Sequence, residues 1–255
     1  MYEWQLLCDH IASMKSVAVS FSGGTDSTVV LAAAVKMLPD GHVAVFADIP
    51  TLSERQRRTA LDVAGELGAD IAVARLCWDC MPGVRDNTAE RCYLCKKAIY
   101  SAVRGIGSDR GCSVLADGEN ASDIPEERPG RRAAAEFGIV SPLKELGFSR
   151  DAVRKMFIGL RLSTDVLKET CMATRFRTGV PFGDSDIRHI DECEELIRDI
   201  SGVRQIRMRI REDHAELFAL PSEIPLLMLR EHELSSALLE KGVQNIKISA
   251  KGYLE

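Results

Sequence analysis

The chain reads as an α/β protein: a parallel, doubly wound sheet followed by a smaller C-terminal α+β domain of ferredoxin-like order. Three observations predict this. Short apolar runs at 16–21, 42–48, 70–76 and 113–116 alternate with longer helix-like segments, and strands apolar on both faces belong to sheets covered on each side by crossover helices. The first run breaks into Ser22-Gly23-Gly24-Thr25-Asp26-Ser27 and continues into the apolar segment 29–38, the order of buried strand, glycine turn and helix N-terminus. From Thr174 the pattern changes to strand, helix, strand, strand, helix, strand, the order of a ferredoxin-like unit.

The elements follow in sequence. After the first strand and helix, His42 to Asp48 is a second buried strand, Ser53 to Leu67 a helix closed by Gly68, and Asp70 to Leu76 a third strand. Ala89 to Ile106 reads as a helix and Ser113 to Ala116 as a fourth strand ending at Asp117-Gly118. Ligands of such sheets bind beyond the carboxyl ends of the strands. Asp48 and Asp117 both fall at these ends, where turn formation and helix capping explain either one equally well. Residues 117–146 are rich in charge, Gly and Pro, with a short helix near Arg131 to Phe137; so long a loop is functional or mobile. A helix starts at Ser149 with Val153, Met156, Phe157 and Leu160 on one face. Beyond it the pattern predicts a strand at 174–180, a helix at 184–200, strands at 204–210 and 215–220, a helix at 222–241 stopped by Gly242, and a last strand at 245–249. The expected domains are residues 1–170 and 171–255.

Composition narrows the class. A chain of 255 residues with 45% hydrophobic and 28% charged residues is that of an ordinary globular protein. A net charge of -5 argues against a dedicated nucleic-acid binder. No apolar run approaches the roughly 20 residues needed to span a bilayer, and the start Met-Tyr-Glu-Trp-Gln is not a secretory signal. Eight cysteines are too sparse for a disulfide scaffold. A cytoplasmic, reducing location is therefore expected, with the cysteines as thiols, metal ligands or core residues.

Four groups of residues carry candidate chemistry. Gly23 and Gly24 let the backbone approach an anion, the first helical amides and the helix dipole favour it, and Ser22, Ser27 and Thr28 add hydroxyls. The run is neither a Walker A loop nor a G-x-G-x-x-G turn; the plainer alternative is a Ser/Gly turn with a capping Asp. Cys77, Cys80, Cys92 and Cys95 form C-x₂-C-x₁₁-C-x₂-C, a spacing suited to zinc or an iron–sulfur cluster, or to unmetallated or redox-active thiols. Cys171 is followed four residues later by Arg175, whose charge could favour a thiolate or receive a substrate carboxylate; by type alone a lone cysteine is more often a small buried residue than a nucleophile. In the stretch 204–211, Arg207, Arg209 and Arg211 alternate with Ile206, Met208 and Ile210, making either a solvated face or a phosphate site.

Ser22 to Ser27 resembles the PP-loop signature S-G-G-x-D-S of ATP pyrophosphatases, of the adenine nucleotide α-hydrolase-like fold, which split ATP between the α and β phosphates. Further blocks are R-C-Y-x-C-K at 91–96, D-G-x-N-x-x-D at 117–123, R-P-G at 128–130, S-P-L at 141–143 and C-x-A-[ST]-R at 171–175. Together, over roughly residues 16–216, they resemble the LarE-type ATP-dependent sacrificial sulfur transferases, which put sulfur into the pyridinium mononucleotide precursor of the nickel-pincer cofactor of lactate racemase. The resemblance implies that a substrate carboxylate is adenylated with release of pyrophosphate and then receives sulfur from a protein cysteine. It implies ATP contacts from Ser22, Gly23, Gly24, Asp26, Ser27, Asp48, Gly118 and Arg128, with Asp26 orienting the loop or holding Mg²⁺. Cys171 matches the family's nucleophile, and Arg207 and Arg209 match an arginine pair for the mononucleotide phosphate. Arg128 could equally pair with Glu126 or Glu136. The resemblance also implies a homo-oligomer. Some members use a three-cysteine cluster, but no second cysteine adjoins Cys171 here; Ser249 stands near an acidic position of the family and the basic tail is nearly absent. Competing readings are a PP-loop tRNA-thiolating enzyme, an amidating ligase using ammonia, and a non-enzymatic ATP sensor.

Overall fold

The computed structural model describes residues 2–122 and 129–251. They divide into two compact units, one within 1–84 and 89–169, the other within 85–88 and 170–255.

In the first unit, α1 (Tyr2–Ser13) leads into β1 (Val17–Phe21), α2 (Thr25–Met37), β2 (His42–Asp48), α3 (Glu54–Leu67) and β3 (Ile71–Arg75). A 3₁₀ turn (Trp78–Cys80), α4 (Arg91–Asp109), β4 (Val114–Ala116), α5 (Pro129–Phe137), α6 (Pro142–Glu145) and α7 (Arg150–Leu160) follow. The four strands are parallel in the order β3-β2-β1-β4. The alternation of β1 explains the double cover: Val17, Val19 and Phe21 join a core with Val29, Val30 and Leu31 of α2 and Val153 of α7. Ala18, with Val43 and Val45 of β2, packs instead on Val103 of α4. The chain leaves β1 toward β2 on one side and returns to β4 on the other, so a crevice opens at the carboxyl ends of β1 and β4.

Local sequence sets the helix ends. Ser53 and Gln56 form a reciprocal capping box on α3 (Gln56 N–H to Ser53 Oγ, 3.1 Å; Ser53 N–H to Gln56 Oε1, 2.9 Å), and Gly68 closes the helix in the left-handed region at φ 64°. Ser149 caps α7.

The second unit holds a 3₁₀ turn (Met172–Arg175), α8 (Asp184–Ser201), β5 (Ile206–Ile210), β6 (Ala215–Ala219), α9 (Ile224–Leu229), α10 (Glu231–Glu240) and β7 (Ile246–Ile248). Its sheet has the order β5-β6-β7, antiparallel then parallel. α8 buries Ile187, Ile190, Cys193 and Ile197 and touches β5, α9 and α10.

Two expectations are corrected here. No strand forms at 174–180: the Asn87 amide donates to the carbonyls of Arg177 (2.8 Å) and Val180 (3.0 Å), and Gly179 N–H donates to the Asn87 carbonyl (2.7 Å). Those backbone groups are satisfied by a side chain and a turn, leaving a three-stranded sheet among the described residues in place of the full ferredoxin-like order. The single helix expected at 222–241 is two, joined at Arg230, whose N–H closes a tighter turn onto the Leu227 carbonyl at 3.1 Å.

Candidate functional site

The β1–α2 turn is built for close backbone approach. Gly23 has φ 76°, and a Cβ there would stand 2.6 Å from Cα of Ala60 in α3. Gly118, just past β4, is as constrained: its Cβ would lie 2.5 Å from the Ser27 nitrogen. Only glycine fits either position. Gly24 is the N-cap of α2 and has no side chain to satisfy the amides of the first turn, leaving a positive helix terminus at the crevice. The Ser27 hydroxyl donates to the Gly24 carbonyl (3.1 Å) and lies 3.1 Å from the Ser22 hydroxyl, which accepts the Gly24 N–H at 3.4 Å. The loop is thus held in shape by its own serines.

Asp26 lies in the first turn of α2, where the Asn120 amide donates to its Oδ2 at 2.9 Å. Asn120 is 1% exposed, and its Oδ1 accepts the Ser122 N–H. Asp117 is buried and saturated, accepting from the Tyr100 hydroxyl (2.7 Å), the Ser141 hydroxyl (2.8 Å) and the Glu119 N–H (3.1 Å). It fixes the chain that presents Gly118 and Asn120. Burial and the adjoining Asp117 carboxylate push the Tyr100 phenol far above its ordinary value, so it stays a donor. Asp48 accepts Arg57 Nε at 2.7 Å, and Arg57 also reaches the Ile49 carbonyl; its carboxylate anchors the start of α3.

A small, open cleft lies beside the loop, lined by Gly23, Gly24, Arg55, Gln56, Thr59, Leu167 and Glu169. Arg55, Gln56, Thr59 and Asn120 were not singled out from sequence. The three α3 residues follow from the approach of Ala60 to Gly23, which no spacing discloses; Asn120 stood in a recognised block without a role.

In the second unit Cys171 is a free, partly exposed thiol at the head of the 3₁₀ turn. Thr174 ties that turn together, its N–H (3.0 Å) and hydroxyl (2.8 Å) both donating to the Cys171 carbonyl. Arg175 is 1% exposed. Its Nε and Nη2 donate to the two oxygens of Glu194 at 2.8 and 3.0 Å, and Nη1 donates to the Thr170 hydroxyl at 2.7 Å. Glu194 in turn accepts the Met208 N–H of β5. The guanidinium expected to meet a thiolate or substrate is therefore committed to a buried clamp around the cysteine.

Arg207 is 6% exposed, so its face of the sheet is not simply solvated. Arg209 lies over the Phe218 ring at 4.8 Å, its Nε buried without a hydrogen-bond partner among the described residues. Burial, then the like charges of Arg211 and Arg175, lower its pKa against the opposing Glu216. Arg211 is neutralised by Glu216 at 2.6 Å.

The cysteine pairs do not assemble. No group of three or more His, Cys, Asp or Glu among the described residues could hold a metal. Cys92 and Cys95 lie in α4, whereas Cys77 and Cys80 flank the 3₁₀ turn after β3. Arg128 lies outside the described residues.

Fold and site define an α/β protein with a tight glycine turn at the switch point of a parallel sheet and a second unit carrying a partly exposed thiol. No family model matches the chain. It is 27% identical over 245 residues, 95% of this chain and 88% of the relative, to the pyridinium-3,5-bisthiocarboxylic acid mononucleotide synthase of Lactiplantibacillus plantarum. It is 29% identical over 238 residues (92% and 88%) to an uncharacterized protein of Synechocystis sp., and 26% identical over 242 residues (94% and 91%) to one of Methanocaldococcus jannaschii. The first of these similarities bears out the resemblance to the LarE-type sulfur transferases, and the chain is an enzyme of the sulfurtransferase type. Among the described residues no helix is long and apolar enough to cross a membrane.

Proposed function

We propose that the protein adenylates a substrate carboxylate with ATP and then transfers the sulfur of Cys171 to it, the acceptor being a pyridinium dicarboxylate mononucleotide. The acceptor follows from the relative's name, since a bisthiocarboxylic mononucleotide is such a dicarboxylate with sulfur in each acid group. A carboxylate cannot be thiolated directly because oxide is too poor a leaving group. Its oxygen attacks the α phosphorus of ATP and pyrophosphate departs. The Cys171 thiolate then attacks the acyl carbon and AMP departs, leaving a thioester. Loss of the Cys171 Cα proton and cleavage of Cβ–S yield a thiocarboxylate on the substrate and dehydroalanine in the chain.

The cradle of Gly23, Gly24, Ser27 and Gly118 suits the phosphates, and Arg55 adds positive charge beside it. Asp26, an oxygen donor at that cradle, would hold Mg²⁺, which when bound neutralises phosphate charge. Burial and the like charges of Arg211 and Arg175, which lower the pKa of Arg209 from its ordinary value, support a phosphate counter-ion at Arg207 and Arg209. The observation that carries the reading is Cys171 itself, a partly exposed thiol held by the Arg175–Glu194 clamp, while Cys8 and Cys193 are buried. Cys171→Ala should release pyrophosphate at the parent rate for a first turnover and transfer no sulfur; transfer surviving in that variant would sink the assignment.

A further inference from the structure

Cys77 and Cys80 are left unused by this chemistry. Both are exposed, and their sulfurs lie 3.2 Å apart in hydrogen-bond contact across the 3₁₀ turn after β3. The turn is anchored beneath them: Trp78 and Met81 pack into a cluster with Ile49 and Val84, and Met81 is 1% exposed. Cys80 N–H donates to the Cys77 carbonyl at 3.0 Å, and Leu76, just before the pair, donates its N–H to the Asp48 carbonyl at 2.9 Å. The two thiols are thus brought together by a fixed backbone at the carboxyl edge of the sheet.

We propose that Cys77 and Cys80 form a redox-active dithiol that exchanges with small disulfides of the glutathione class, Cys77 attacking and Cys80 resolving. The Cys77 thiolate attacks one sulfur of the disulfide, breaking its S–S bond and expelling one thiolate; Cys80 then attacks Cys77 in the mixed disulfide, closing the intramolecular bond and expelling the second. The balance is protein dithiol plus disulfide giving protein disulfide plus two thiols, with two electrons passing from the protein to the small molecule. Asymmetry within the pair sets the order. The Cys77 thiol accepts from Cys80 and from the backbone N–H groups of Cys80 and Asp79, which hold it below the ordinary thiol value. In the Cys92–Cys95 pair, Cys92 is met by Arg91 at 3.8 Å and Cys95 packs against the apolar cluster.

The full chain, reduced and then equilibrated in glutathione buffers of rising oxidised fraction, is acid-quenched, alkylated and read by intact mass and peptide mapping. The expected result is the joint loss of the Cys77 and Cys80 alkylation sites, with a mass lower by two hydrogens, while Cys92 and Cys95 remain alkylated. Cys80→Ser should accumulate a glutathione adduct on Cys77, and Cys77→Ser should form no disulfide at Cys80. Independent alkylation of both thiols at every ratio, or earlier oxidation of Cys92 and Cys95, would overturn the proposal. Neither ATP nor the sulfur acceptor is present, so the outcome is separate from that of the sulfur-transfer reading.

Discussion

Gly118 packs against the first turn of α2 and Glu194 holds Arg175 beside Cys171, so each shapes a region to which the proposed chemistry is assigned. A methyl group on Gly118 would meet the Ser27 nitrogen at 2.5 Å and push against the first turn of α2. Since a displacement near 1 Å can cost about 100-fold in rate, Gly118→Ala should lower pyrophosphate release by roughly that factor; a parent-like rate would show that the cradle does not depend on this contact. Glu194→Gln removes the charge facing Arg175, whose side chain is 0% exposed. Leaving one member of a buried pair uncompensated costs about 3–5 kcal/mol, which chemical denaturation should register; a loss under about 1 kcal/mol would mean that the clamp is dispensable. Gly23 and Gly24 were readable in the sequence because a glycine turn announces itself by residue type, whereas Cys171 stood out only through the block at 171–175. Glu194 was not readable. It stands 19 residues beyond Arg175 on a helix whose charged residues otherwise look like a solvated face.

Elements were legible where their ends are written locally. Ser53, Gly68 and Ser149 mark the helix boundaries at which capping is found. The expected strand at 174–180 failed because its backbone is satisfied by Asn87, some 90 residues earlier and in the left-handed region at φ 52°. No local pattern encodes such a partner. α3 is also fastened at its other end, where Glu66 accepts the N–H groups of Ser163 and Thr164 at 2.6 Å each, together with the Thr164 hydroxyl. The Thr164 hydroxyl, then the Ser163 amide, lower the carboxyl pKa from 4.5 to about 2. A depressed carboxyl stabilises the fold above its unfolded value, and that contribution is lost as pH falls through the folded value. The stability difference between parent and Glu66→Gln should therefore be largest above pH 4.5 and shrink toward pH 2; a pH-independent difference would show that the ionised carboxylate is not what fastens the segment.

At the scale of the molecule, the chain folds as two compact units, and the proposed chemistry draws residues from each. The first carries the glycine cradle, Asp26 and the α3 cleft; the second carries Cys171, its buried clamp and the arginines of β5. The parallel sheet could be read from apolar runs because burial on both faces leaves no polar alternation, whereas the second sheet was overdrawn by a strand. Activation and sulfur donation should accordingly be separable, with the sulfur donor itself altered in the process. The most direct measurement is the intact mass of the protein before and after incubation with Mg-ATP and the pyridinium dicarboxylate mononucleotide, with peptide mapping across Cys171. A loss of about 34 Da at that peptide, the mass of H₂S removed as cysteine becomes dehydroalanine, is the predicted result. An unchanged Cys171 peptide alongside thiolated product would contradict it.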